Sequence, residues 1–316
     1  MTILQGSRSA LSYVAETAFG TTPATPTFIE LPYTTHSLNL TKQRVSGTDI
    51  QADRMLRVDR HGNRSAGGDI VVDLRGGSGS TAGNYDAFLE SAFMSTFSTN
   101  TLKVGTTLKS FSIEDSANDT ASTDAFRLFT GMSVSKLGIS IKPNSMVQAT
   151  FSMVGKDMAA ATATAAALLT SATINKPYDA YSGTIKISDA GGTLASIAVV
   201  TGIDFTLDNA FNPTYVIGSA TTPQLEYGRA TVEGTITAYF EDIALINRFL
   251  NETETAFEVQ VDSPDTTAGT TFLFPRVKIN AADVPVGGTG SRIITLPFVA
   301  LYDTTEATNL KLSRHT

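Results

Sequence analysis

GRATVEGTITAYFEDIALINRFL, residues 228–250, changes its period halfway along. From Arg229 to Phe240 the side chains alternate, with Arg229, Thr231, Glu233, Thr235, Thr237 and Tyr239 on one side. Ala230, Val232, Gly234, Ile236, Ala238 and Phe240 fall on the other. From Glu241 the apolar positions become Ile243, Ile246, Phe249 and Leu250, which is helical spacing. Period two predicts a strand with one buried face, and the later spacing predicts a short amphipathic helix. A whole strand face of threonines and charges needs an account of what it meets.

The same alternation recurs along the chain. Residues 36–41, 68–74, 201–209 and 293–302 read as strands, and 135–153 as a hairpin turning at Pro143–Ser145. The buried face of that hairpin is expected from Leu137, Ile139, Ile141, Val147, Ala149, Phe151 and Met153. Residues 85–93 are helical in pattern, and the Gly/Ser run 76–80 is a flexible break. The Ala/Thr-rich run 159–167 lacks an amphipathic stripe and reads as a surface connector rather than a helix. The first residues are rich in Thr, Pro and Gly and read as an extended arm, 1–33, that packs on a neighbouring copy. The expected organisation is that arm followed by one domain, 34–316. Its first half is 34–158 with a long hairpin loop at 42–66, its connector 159–175, and its second half 176–316. Strand, long loop, strand and helix follow in that order in both halves. The Gly68–Asp69–Ile70 strand matches Gly234–Thr235–Ile236, so the halves are either related or alike by chance.

Composition narrows the function. Hydrophobic residues make up 41% of 316 and charged residues 17%, which describes a globular chain. A formal charge of -7 argues against a nucleic-acid or anionic-membrane binder. There are no cysteines, which excludes a disulfide framework, a thiolate metal site and a cysteine nucleophile. The start of the chain lacks the pattern of an export signal, and no apolar run approaches a membrane span, so a soluble protein made in a cytoplasm is expected.

Chemistry-bearing motifs are missing. His36, His61 and His315 show no metal-ligand spacing. The Asp-rich stretch 115–124 has neither the central glycine nor the terminal glutamate of a calcium loop, with Phe126 where the glutamate belongs. No nucleophile elbow, phosphate loop or dinucleotide fingerprint is present. An enzyme is not expected, nor a cofactor or metal.

Charge is unevenly placed. Residues 42–64 carry Lys42, Arg44, Arg54, Arg57, Arg60 and Arg64 against Asp49, Asp53 and Asp59, a net of +3. Residues 225–270 carry nine acidic groups against Arg229 and Arg248, a net of -7. These are either solvated surfaces or a basic loop seeking an acidic patch on another copy, a head-to-tail pairing that gives rings or filaments.

Several pieces, in order, resemble the tail tube proteins of long-tailed, non-contractile bacteriophages. They are ETAFGTTP (16–23), SLNL followed by Asp53–Arg54, FTGM (129–132), LDNAFNPTYVIGS with PQLEYGRATVEGTITAYF (207–240), and LPFVALYD (296–303). The resemblance implies a mainly β fold, an antiparallel β-sandwich with short flanking helices. Six subunits would close a ring, and rings would stack into a hollow tube guiding DNA from capsid to cell. The partners implied are other copies of the chain and the tail terminator, tape measure and distal tail proteins, with DNA passing unbound and no membrane. The place implied is the virion tail, assembled in the host cytoplasm. Under this resemblance Asp69, Asp73, Asp204, Asp208 and Glu233 are channel-lining candidates, with outer-surface carboxylates as the plain alternative. The inter-subunit loop candidates are Lys42, Arg44, Asp53, Arg54, Arg57, Asp59, Arg60 and Arg64. A competing reading is a β-sandwich carbohydrate-binding module, against which the absence of tryptophan counts.

Overall fold

The computed structural model describes residues 6–53, 55–76, 83–117, 124–173, 175–197, 199–241, 243–264, 268–286 and 290–315. Residues 77–80 of the Gly/Ser break, most of the Asp-rich stretch and Arg54 lie outside these residues. The chain is mainly β and mostly antiparallel, with two short helices.

In chain order the first elements are β1 (Ser9–Ala15), β2 (Thr27–Glu30), β3 (Thr35–His36), β4 (Asn39–Ser46) and β5 (Asp59–Asp73). Then come α1 (Asp86–Ala92), β6 (Thr101–Lys103), β7 (Phe111–Ala117), β8 (Ala125–Ile141), β9 (Gln148–Gly155) and β10 (Asp157–Ala161). After β11 (Leu168–Thr170) follow β12 (Thr184–Asp189), β13 (Ala195–Ser196), β14 (Val200–Asp208), β15 (Asn212–Pro213), β16 (Leu225–Glu226) and β17 (Thr231–Tyr239). The last are α2 (Ala244–Leu250), β18 (Thr255–Asp262), β19 (Gly269–Ile279), β20 (Ile293–Ala300) and β21 (Lys311–His315).

Strand order repeats. In the first part β2-β1-β7-β8-β9-β5-β4 are successive neighbours. In the second, β13-β12-β18-β19-β20-β17-β14 are successive neighbours, and each strand falls at the corresponding place in the chain. Even the broken last strand recurs: β10 continues β9 along β8, and β21 continues β20 along β19. The two parts join where the end of β8 pairs with β14, from Lys136↔Asp208 to Ile141↔Ile203.

The seventeen-residue β8 pairs with β7 and β10 in its first half and with β9 and β14 in its second. Gly131 marks the bend with φ +67, a conformation that side chains beyond Cα disfavour. The core lies between the resulting layers. Phe88 of α1 is wedged there, 5.0 Å from Phe111 on β7 and 5.5 Å from Phe151 on β9 between ring centres. In the second part Phe257 stacks on Phe274 at 4.3 Å and meets Phe298 edge-on at 4.8 Å. Each buried phenylalanine contributes about 1.5–3 kcal/mol, and the two clusters belong to one continuous core.

The residues expected inside the hairpin are all buried, as are Ile70, Val72, Leu74, Ile203, Phe205, Leu207, Val232 and Ile236. Three expectations need correction. Residues 9–31 are not an arm resting on a neighbour: β1 pairs with β7 over seven residues, and Leu11, Tyr13, Phe28 and Leu31 are buried in their own subunit. The Thr/Pro/Gly run only connects β1 to β2. Residues 42–66 are largely paired strand, since β4 and β5 run on together as an exposed hairpin to Ser46↔Asp59, leaving 47–58 as its tip. Ala159–Ala161 is strand, not connector, because β8 is long enough to carry it. Of the helix face, Ile246 and Phe249 pack on the core with Leu245, while Ile243 and Leu250 are exposed.

Candidate channel face and hairpin contact

Register places the five predicted carboxylates on one face. In an antiparallel pair, directly opposed residues point to the same side. One row across the sheet is Asp73, Gln148, Ser140, Asp204, Thr235 and Pro297. The next is Val71, Thr150, Gly138, Thr206, Glu233 and Val299, and a third is Asp69, Ser152, Lys136, Asp208 and Thr231. Their chain neighbours Ile70, Val72, Phe151, Ile139, Phe205 and Val232 point the other way into the core. The middle of this face is an open groove lined by Gly138, Gln148, Thr150, Thr206, Glu233 and Pro297. Asp69, Asp204 and Glu233 are exposed, and Asp73 and Asp208 are half-buried.

Backbone packing makes this sheet tight. A Cβ added at Gly234 would lie 2.5 Å from the Asp204 carbonyl oxygen, 2.6 Å from the Phe298 ring and 2.8 Å from Phe205 Cβ. Glycine is therefore required on the core side behind the centre of the face, where Phe205 of β14 and Phe298 of β20 close on β17.

Two lysines that the strand-by-strand reading left out share the face. Lys136 Nζ lies 2.8 Å from Asp208 and raises its own pKa by that hydrogen bond, and Lys142 Nζ lies 3.7 Å from Asp204. Lys136 was visible as a polar residue on the hairpin, but only the β8–β14 register puts it opposite Asp208. The face thus carries five carboxylates against two lysines. It is acidic, with a net of three negative charges where a count of aspartates and glutamates on the predicted strands implies five.

The basic loop is more self-contained than its composition suggests. Arg44 Nε donates to Asp59 at 2.8 Å across the hairpin, Arg57 bonds Asp53 within the tip, and Arg64 reaches Asp157 of its own subunit at 2.6 Å. Lys42 and Arg60 are exposed and make no ion pair among the described residues. The tip and the strand end leading into it are also apolar: Val45 of β4 and Ile50, Met55, Leu56 and Val58 of the tip are exposed, Ile50 almost completely. Averaging over the whole segment hid these five side chains. The acidic stretch is likewise partly paired within the chain, Glu252 with Lys278, Glu254 with Arg276, Glu258 with Lys186 and Asp262 with His315.

No group of residues suited to hold a metal ion occurs among the described residues, and none of their helices is long and apolar enough to cross a membrane. His36 lies against Asp115, 3.5 Å away, and His61 is exposed on the hairpin. Burial alone would raise the Asp115 pKa, but hydrogen bonds from His36 and Arg127 outweigh it and hold the carboxyl below its usual value. This cluster is structural, since it ties β3 to β7 and β8.

The quoted sequence pieces are anchors. The Glu16 carboxylate accepts from Gly20 N, Ser110 Oγ, Ser112 Oγ and Gly131 N at 2.7–2.8 Å, which binds the ETAFGTTP turn to the FTGM bend. The buried Asn209 amide donates to the Ala92 and Val134 carbonyls at 2.8 and 3.3 Å, tying the end of β14 to α1 and β8.

The sequence profile of a family described as phage tail tube protein matches residues 6–300. No curated protein matches the chain. Among solved structures, a chain of the anti-feeding prophage baseplate, in a 6-fold symmetrised cryo-EM structure, aligns with 45% of this chain and 95% of its own length. That alignment has 13% identity and a TM-score of 0.28.

Proposed function

We propose, from the premise that this chain belongs to the phage tail tube protein family, that it is the repeating wall subunit of a hollow, non-contractile tail tube. The family is one of structural virion components rather than enzymes, so its place is the phage tail. The observation that carries the finer reading is the single polar face spanning six strands, with core on its reverse. A monomer gains nothing from presenting so broad an open sheet, whereas a ring of such sheets encloses a water-filled channel with no exposed strand edges.

In this reading six sheet units surround the channel, either one per chain as the resemblance implied or two per chain, β5-β9-β8 and β14-β17-β20, and rings stack to its full length. Passing DNA requires a wall that does not hold it. Each cation that neutralises a phosphate adds affinity, while Asp69, Asp73, Asp204, Asp208 and Glu233 repel and Thr206, Thr231 and Thr235 merely hydrate. Lys136 is quenched by Asp208. The β4–β5 hairpin serves as the contact to a neighbouring ring, with its apolar tip supplying burial and Lys42 and Arg60 supplying charge complementarity. The ends of such a tube would meet the terminator, tape measure and distal tail proteins, after assembly in the host cytoplasm. Negative-stain microscopy of the purified protein tests this reading: hollow tubes or rings support it, and dispersed monomers at high concentration overturn it.

A further inference from the structure

The repeated strand order makes each chain two wall units rather than one. We infer that copies join edge to edge through residues 36–41 of one and 281–286 of the next, so that a six-unit ring holds three chains. This rests on the tube reading above.

The template is inside the chain. The first unit offers the end of β8, residues 136–141, and the second offers the start of β14, residues 203–208; they pair antiparallel. The repeat identifies the counterparts. Gly68 on β5 faces Met153 and Gly234 on β17 faces Phe298, which aligns β9 with β20. Met153 pairs with Val134, and Phe298 with Ile279. A one-residue register slip follows Val134 on β8, and a one-residue slip also follows Ile279, between its pairing with Phe298 and the Asp283–Thr295 bridge. Residues 281–286 therefore correspond to 136–141. By the same reasoning Leu38, next to Gly68, corresponds to Phe205, opposite Gly234, and 36–41 corresponds to 203–208.

Neither counterpart pairs with a strand on the side where the template is paired, and there the outward Leu38 carbonyl accepts the Arg127 guanidinium at 3.5 Å. Among the described residues, β3 and β4 pair only with β5, and 281–286 is held only by the Asp283–Thr295 bridge. The outward Val284 carbonyl accepts only an exposed Arg292 side chain at 3.3 Å. Burial follows the same pattern. Leu137, Ile139 and Ile141 are 0–7% exposed beneath β14, while Ala282 and Val284 are only half-buried and Val286 is 71% exposed. Leu207 is buried where its counterpart Leu40 is half-buried, while Leu38, like its counterpart Phe205, is already buried. A second copy set in the template register places Leu38 opposite Val284 and Leu40 opposite Ala282, completing that apolar layer. Asn39 then faces Asp283 on the polar side, and no like charges meet. Seams within chains alternate with seams between chains around the ring. An open edge of this kind is a template for pairing with another chain, and the second copy carries the complementary one.

Two measurements decide it. Cryo-EM of tubes from the unsubstituted chain should give threefold rings with the mass of three chains. The chain has no cysteine, so Asn39→Cys combined with Asp283→Cys is a clean reporter. These positions oppose each other as a closely spaced pair with Cα atoms about 4.5 Å apart, within disulfide reach. Oxidised tubes should then run, under denaturing conditions, as a covalent ladder ending at the closed trimer, with neither single variant cross-linked. Rings of six chains, a ladder reaching six, or intact tubes without cross-links overturn the inference while leaving the tube reading in place. Absence of tubes from the unsubstituted protein overturns the tube reading and this inference with it. Should the double variant fail to assemble, the symmetry of the unsubstituted ring decides alone.

Discussion

Replacing Asp204 and Glu233 together with lysine should turn a passive wall into one that holds DNA. Both side chains are exposed on the polar face, so neither the fold nor tube assembly should change by more than about 0.5 kcal/mol. Per chain the face carries Asp69, Asp73, Asp204, Asp208 and Glu233 against Lys136 and Lys142, three net negative charges. Lys278, beyond the edge of the groove, is neutralised by Glu252 at 2.7 Å. One substitution removes two of those charges and leaves the face weakly acidic. The second makes it net positive. Asp208 is left in place to keep Lys136 in its 2.8 Å pair, whereas losing Asp204 releases Lys142 only from a looser 3.7 Å contact. The single variants should therefore eject DNA nearly as the parent does, and the double variant should retain it. With about two phosphates neutralised per ring contact, retention should fall roughly tenfold between 50 and 200 mM salt. The assay is the rate of DNA release from particles assembled with each variant across that salt range. Release at the parental rate by the double variant at 50 mM, from intact tubes, would refute the lumen assignment.

Arg314 and Asp86 form a buried ion pair between β21 and α1, with the guanidinium over the Phe97 ring. Arg314→Ala should cost about 3–5 kcal/mol in urea unfolding. Burial raises the Asp86 pKa despite Arg314, so the deficit should shrink as pH falls and the stranded carboxylate takes up a proton; a pH-independent deficit would count against this. Gly234→Ala should destabilise by about 1–3 kcal/mol through overpacking against Asp204 and Phe298, and a melting temperature within a degree of the parent would contradict the close approach. Asp115, held below its usual pKa by His36 and Arg127, contributes stability that is present above about pH 4 and lost as pH falls through its folded value. Asp115→Asn should therefore show a flatter stability profile between pH 5 and 3, and equal slopes would remove Asp115 from the account. Ile50→Asp with Met55→Asp at the hairpin tip should leave the monomer's stability unchanged and abolish long tubes, whereas normal polymerisation would make the tip a solvated excursion.

The inward and outward residues of β8, β9, β14 and β17 were legible because period two leaves no choice once one face is apolar. The same rule put Asp204 and Glu233 on one side of their strands, but not on one surface with Asp69. That needed the β8–β14 and β5–β9 pairings, which link residues far apart in sequence. Lys136 illustrates the gap, since it is an ordinary polar position until Asp208 is set opposite it. β1 was concealed because the Thr/Pro/Gly run that follows it dominates the start of the chain, although Ser9–Ala15 is itself mostly apolar and Leu11 and Tyr13 are buried. The hairpin arms were hidden for a related reason: with both faces exposed, β4 has no apolar period to read. The similarity of the halves was visible in the Gly68 and Gly234 strands. Its extent, seven strands in the same order twice, is a property of pairing and lies beyond any local pattern.

The most direct test of the central claim is a cryo-EM reconstruction of the assembled tube at side-chain resolution. The account predicts Asp204, Thr206, Glu233 and Thr235 on the wall of the channel, with Phe205, Val232 and Phe298 behind them. A tube in which Asp204 and Glu233 lie on the outer surface, or are buried between rings, would contradict it.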